Sequence, residues 1–246
     1  MKKYRLISQI IFLGLSNLGY CKVTGLIFPF FYCHQCPLAT ATCPIGALEH
    51  GIIKKCPELL LYLLGFVALI GIIFGRLFCG WACPIGFLQD IVSTHKKRKK
   101  KVSAPLLKID MKLRYAKYII LVLTIILSYL TGLLAFTLIC PVGGLTATLP
   151  TLTIQWNKYI LGNFFWYKMT FLFGAFILIV LIRRGFCKYL CPFGALIAVF
   201  NKVSIVRLKF NKEKCNNCEA CLTACPMNVD PRNLRETECI RCFRCS

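Results

Sequence analysis

Long uncharged apolar runs alternate along this chain with short, strongly basic segments. Four runs are long enough to be read as crossings of a hydrocarbon core, which takes about 20 apolar residues. The first extends from Leu6 to about Phe31, broken by Lys22 and small polar residues. The second is Leu59 to Phe74, the third, Tyr118 to Ile139, carries no charge, and the fourth is Phe164 to Ile182. The second and fourth are short enough to be partly re-entrant. Met1-Lys2-Lys3 before an apolar run has the form of a signal peptide, yet no small-x-small cleavage site follows. Tyr20 is too bulky beside Cys21 for a lipoprotein site. The pattern predicts a mainly α protein with four transmembrane helices, the first uncleaved.

Composition sharpens this. The 246 residues include 31 Lys+Arg against 9 Asp+Glu, a formal charge of +22, although 57% are hydrophobic. Disorder is excluded by the apolar content, and a single soluble globule is disfavoured by the length of the runs. The charge is sorted by loop: Lys2, Lys3 and Arg5 precede the first helix, 11 Lys/Arg lie between the second and third, and 12 follow from Arg183. The other loops carry only Lys54, Lys55 and Lys158. By the positive-inside rule both termini are cytoplasmic, in a multi-pass protein of the cell membrane. Trp156, Tyr159, Phe164, Phe165, Trp166 and Tyr167 read as an outer aromatic belt. Orientation and contact with the lipid bilayer explain the basic run Lys96–Lys101, so no nucleic acid is expected as a partner.

The 17 cysteines carry the chemistry. Cys215-x2-Cys218-x2-Cys221-x3-Cys225-Pro226 has the spacing of a bacterial ferredoxin [4Fe–4S] run, in which the cysteine before proline ligates the other cluster. Cys239-x2-Cys242-x2-Cys245 begins a second run. Cys225, Cys239, Cys242 and Cys245 are then one complete ligand set, and Cys215, Cys218 and Cys221 are a set lacking its fourth ligand. A truncated chain is the expected reason, with a three-iron cluster or a partner-supplied ligand as alternatives. Zinc, the simpler reading, seldom uses triple spacing followed by Cys-Pro. The tail predicts a small ferredoxin-like α+β domain over 205–246, after a membrane domain over 1–204.

Two further segments are related to each other. Arg76-Leu-Phe-Cys79-Gly-Trp-Ala-Cys83-Pro-Ile-Gly86 and Arg184-Gly-Phe-Cys187-Lys-Tyr-Leu-Cys191-Pro-Phe-Gly194 each follow a predicted membrane helix. Cysteines four apart share a helical face, and the arginine favours thiolate. Cys43-Pro44-Ile45-Gly46 and Cys140-Pro141-Val142-Gly143 echo each other on the outer side. The membrane part therefore reads as a duplicated two-helix unit with an axis along the membrane normal. That axis would bring Cys79, Cys83, Cys187 and Cys191 together inside, as a candidate third cluster, a metal site or redox-active thiols, with helix packing as the plainer alternative. Cys33, Cys36, Cys43 and Cys140 form a weaker outer set, with helix packing or disulfides as the plainer reading. His34 and His50 are candidates for metal ligation or for a proton from quinol, and Glu49-His50 is the pair singled out for mutation. Cys21 and Cys56 have no patterned partner. No dinucleotide, P-loop, zinc-protease or serine-triad motif is present.

With both inner Cys-x3-Cys-Pro segments, the outer Cys-Pro-Ile-Gly-Ala-Leu and the ferredoxin tail, the chain resembles the NapH/NosR-type polyferredoxin membrane proteins. These are quinol-dehydrogenase components of periplasmic nitrate and nitrous-oxide reduction systems. It departs from them in the missing final Cys-x3-Cys-Pro, and the flavin-binding outer domain of the larger NosR-like members is not seen in it either. The resemblance implies an iron–sulfur protein passing electrons between membrane quinol and a redox partner, such as another ferredoxin-like or cytochrome subunit. The alternatives are a quinone-linked thiol–disulfide oxidoreductase and a redox or metal sensor or assembly factor.

Overall fold

The computed structural model describes residues 2–18, 27–30, 39–94, 110–148 and 163–208, and within the tail 210, 211, 213, 215, 218–230, 232 and 237–245. It is mainly helical. The helices are α1 (Lys2–Ser16), α2 (Pro44–Ile53), α3 (Pro57–Phe74), α4 (Leu77–Trp81), α5 (Pro84–Thr94), α6 (Ala116–Thr131) and α7 (Ala135–Ile139). There follow α8 (Pro141–Gly143, continued as a π-helix over Gly144–Thr148), α9 (Asn163–Leu181), a π-turn (Phe186–Leu190), α10 (Pro192–Ala198) and α11 (Ala220–Ala224). Five of these helices, α2, α3, α5, α8 and α10, begin at a Cys-Pro step, where proline, with φ already helical, takes the first helical position; in α2, α3, α8 and α10 the cysteine is the N-cap.

Among the described residues two helices are long and apolar enough to cross a membrane, Pro57–Phe74 and Asp110–Thr131; Tyr4–Ser16 and Phe165–Leu181 are shorter apolar helices. The expected first span is not one helix. Ser16 Oγ and Asn17 Nδ2 donate to the carbonyls of Phe12 and Leu13 and draw off the last turn of α1. Ile27 then pairs as a lone parallel bridge with Thr42, and Pro29 cannot continue a helix. The expected third span also breaks, at Gly132, whose φ of 65° closes α6 before α7 begins. In the tail the described residues form one short helix, α11, and turns, with no strand, so the α+β expectation has no support there. Trp156 and Tyr159 lie outside the described residues, while Trp166 and Tyr167 are exposed.

Only 17% of the Pro57–Phe74 window is buried, and α3, α6 and α9 turn large apolar side chains such as Leu61, Leu130 and Phe173 outwards. A helix in the core of a soluble protein would bury that face. The contacts recur in the two halves: α1 packs on α5 as α6 packs on α10, and α2 on α3 as α8 on α9.

Candidate metal centre

Cys79, Cys83, Cys187 and Cys191 are all buried and line one small cavity together with Arg76, Ile85, Phe186 and Gly194. Cys79 comes from α4 and Cys83 from the step into α5; Cys187 comes from the π-turn and Cys191 caps α10. Helix starts hold the second thiol of each pair: Cys83 and Cys191 Sγ accept from the Gly86 and Gly194 N–H, the latter at 3.3 Å. Gln89 Nε2 donates to Cys187 Sγ at 3.1 Å.

The two arginines cross over. Arg184 of the second half donates Nη1 to the Cys79 carbonyl at 2.8 Å. A Cβ on Gly86 would come within 3.3 Å of its guanidinium, and a Cβ on Gly194 equally close to that of Arg76. The glycine of each Cys-Pro-x-Gly turn is thus the space through which the opposite half's arginine passes. Each arginine meets a carboxylate that a second cation also holds. Arg184 pairs with Asp90 at 2.5 Å, and Arg5 of α1 joins it. Arg76 pairs with Glu238 at 2.7 Å, and Lys117 of α6 joins that one at 2.5 Å. Burial works to raise the Asp90 carboxyl, but Arg184 and Arg5 outweigh it and hold the group well below the usual carboxylate range.

A second cavity is lined by Cys225, Cys239, Cys242 and Cys245. Non-glycine residues with left-handed backbone sit beside these thiols, at Asn228, Arg241 and Phe243. Such tight reversals fold a short chain around a central group. The tail is pinned to the helical part by Arg114 on the Met227 carbonyl at 2.8 Å and Trp81 Nε1 on the Arg241 carbonyl at 3.1 Å. Arg241 also donates to the Phe74 carbonyl at 2.7 Å. Cys79 packs with Met227, Val229 and Ile240 in a cluster that touches Cys225 and Cys242, so the two thiol cavities adjoin.

Both cavities fit an iron–sulfur cluster by the chemistry of their walls. Burial, then neighbouring thiols, pushes the Cys83 thiol up to about 12, and burial raises Cys187, Cys191, Cys225 and Cys239. These five thiols are held towards the neutral form, and cationic iron is what would convert them to ligands. A buried arginine Nε without a hydrogen-bond partner among the described residues belongs to each site, on Arg76 and on Arg244. Cluster sulfides and thiolates are acceptors for such donors. No three His, Cys, Asp or Glu among the described residues converge closely enough to hold a single metal ion; thiols ringed round a cavity suit a polynuclear group.

The other expected residues fall differently. Cys215, Cys218 and Cys221 line neither cavity, and Cys218 is exposed. Cys33, Cys36 and His34 lie outside the described residues. Cys43 and Cys140 are buried helix caps. Glu49 and His50 part company: His50 is exposed, while buried Glu49 accepts from Phe136 N–H at 2.7 Å, Ser128 Oγ at 3.2 Å and Thr137. Asp90, Glu238, Lys117 and Gln89 were not legible as site residues, because no local spacing marks them.

A 4Fe-4S binding domain model matches residues 56–103 and again 163–213, each time an apolar helix with the Cys-x3-Cys-Pro segment after it. A second 4Fe-4S binding domain model matches residues 208–229. An uncharacterized protein of Methanocaldococcus jannaschii is 32% identical over 207 residues, 82% of this chain and 81% of its own length. The ferredoxin-type protein NapH of Haemophilus influenzae is 29% identical over 193 residues, 73% of this chain and 60% of its own. The chain belongs to the NapH-type polyferredoxin family. The methylamine utilization ferredoxin-type protein MauN of Methylorubrum extorquens is 31% identical over 154 residues, 61% of this chain and 47% of its own. The chain therefore spans less than two thirds of the length of these two named relatives. No solved structure matches.

Proposed function

We propose that the chain is a membrane-embedded iron–sulfur relay that passes electrons between a lipid-soluble quinol and a redox partner protein. Cys79, Cys83, Cys187 and Cys191 would hold one [4Fe–4S] cluster, and Cys225, Cys239, Cys242 and Cys245 a second. Cys215, Cys218 and Cys221 remain three ligands of a further site. The adjoining of the two four-thiol cavities through Cys79, Ile240 and Cys242 carries this reading, since a relay needs its centres side by side. When bound, the clusters supply the one-electron chemistry; the chain's part is to place them, bury them and set their potential. Arg76 and Arg184 are cations against the negative charge of a thiolate-ligated cluster.

The outward apolar faces of α3, α6 and α9 support a membrane location, with α1 as a fourth helix and both termini in the cytoplasm by the loop charges. The redox partner would be a ferredoxin-like or cytochrome protein docking on the tail. Anaerobic purification with iron, sulfide and EPR measurements tests the assignment. Two four-thiol clusters require about eight iron atoms per chain, and Cys191→Ser is expected to remove about four of them. Unchanged iron and spectra in Cys191→Ser would refute the inner cluster, and a chain without iron would end the reading.

A further inference from the structure

A slot of about 340 Å³ lies between α6, α7 and α9 and ends on the π-turn. Its walls are almost wholly apolar: Leu123 and Leu127 of α6, Phe136 of α7, Phe171 and Ala175 of α9. Leu123, Leu127 and Phe171 are about half exposed, so the slot opens on the apolar exterior and not towards water. An occupant must enter from lipid. At its inner end the slot is closed by Phe186 and Leu190, the residues immediately before Cys187 and Cys191. Phe186 also lines the four-thiol cavity, so a single aromatic ring separates the two spaces.

One polar group breaks the apolar lining. Thr124 is buried, and its hydroxyl donates to the Ile120 carbonyl at 2.8 Å. Its proton is committed there, which leaves the oxygen as an acceptor inside the slot. An acyl chain has no use for that acceptor, whereas a ring hydroxyl does. Slots of this size and lining, with one placed polar atom, suit flat apolar ligands.

We infer that this slot is the binding site for the ring of an isoprenoid quinone, with the ring against Phe186 and a hydroxyl of its reduced form donating to Thr124. This rests on the quinol reading above and adds the place and the contact. The test uses the cluster-loaded full chain in lipid nanodiscs and a photoreactive azido-naphthoquinone. Cross-links are expected within residues 120–127 and 171–175, suppressed by excess menadione but not by palmitate. Ala175→Trp fills the slot and should cut labelling roughly ten-fold or more at unchanged iron content. Thr124→Val keeps the shape and should weaken competition by menadiol about five-fold, the worth of one hydrogen bond; it carries the test if Ala175→Trp fails to assemble. Labelling elsewhere, equal suppression by palmitate, or full menadiol affinity in Thr124→Val would overturn the site. Quinol oxidation by a protein labelled elsewhere removes the slot and leaves the relay standing. Labelling in the slot without electron exchange does the reverse.

Discussion

Glu238→Gln removes the single negative charge that the tail sends between two buried cations. Arg76 is 1% and Lys117 0% exposed, and their contacts with the carboxylate are 2.7 and 2.5 Å. Gln occupies the same volume, so what is lost is charge and not packing. Breaking a buried pair from one side costs about 3–5 kcal/mol, because the partner is left uncompensated. Here two partners are left, and undocking the tail is the way they regain water. A loss of that size raises the undocked population by on the order of a hundred-fold or more, and protease cleavage of the tail follows that population when opening is fast. Anaerobic limited proteolysis of the cluster-loaded protein, cutting within 205–246, reads it directly. The pH dependence has a definite sign. Burial tends to raise the Glu238 carboxyl, but Arg76 and Lys117 overcome this and hold it below its ordinary value. Its stabilisation is therefore complete above the ordinary carboxylate pKa and is lost as pH falls through the lowered docked value. Wild-type protection should show an acid-side loss that Glu238→Gln lacks. Equal cleavage of wild type and Glu238→Gln at neutral pH would refute the ionic latch.

Three other substitutions probe the same framework. A Cβ on Gly80 would stand 2.6 Å from the Ile240 carbonyl, so reaching an ordinary 3.4 Å requires a 0.8 Å shift of the tail backbone. Gly80→Ala is expected to cost about 1–3 kcal/mol of overpacking against at most about 1 kcal/mol gained in helix propensity, and cluster absorbance should bleach at a lower temperature. Glu49→Gln places amide hydrogens against the donors of Phe136 and Thr137 and should cost about 1–3 kcal/mol in thermal stability. Cys56 is an exposed N-cap of α3 with no side-chain cap bond, so Cys56→Ser should keep the full iron content and gain about 0.5 kcal/mol from a better cap; loss of iron would make Cys56 a ligand.

The inner thiol set was legible because Cys-x3-Cys-Pro fixes its own geometry. Four residues make one helical face, and proline forces a helix to start where the second thiol stands. Duplication of the segment then required only that the halves pack alike. The arginines were legible as cations near sulfur but not as crossed members of the opposite half, since Arg184 and Gly86 are far apart in sequence. Glu238 and Lys117 are likewise 121 residues apart, and nothing local in either announces the other. Apolar composition misjudged the first run because it continues past Ser16 and Asn17, whose side chains finish α1, and through Pro29. It overran the third because Gly132 interrupts apolar residues without changing their character.

The two halves differ at the position that Asp90 holds in the first. Asp90 lies six residues beyond Pro84, and the residue six beyond Pro192 is Ala198, which is wholly buried. The second half thus has alanine where an acid would answer Arg76, and Glu238 of the tail pairs with Arg76 instead. An acid at both stations would answer Arg76 from within the helical part and leave Glu238 of the tail without that ion pair. The missing carboxylate works as an address: it gives a nearly symmetric scaffold one place where the carboxyl-terminal segment can be delivered, and hence one direction along which the second thiol ring is read.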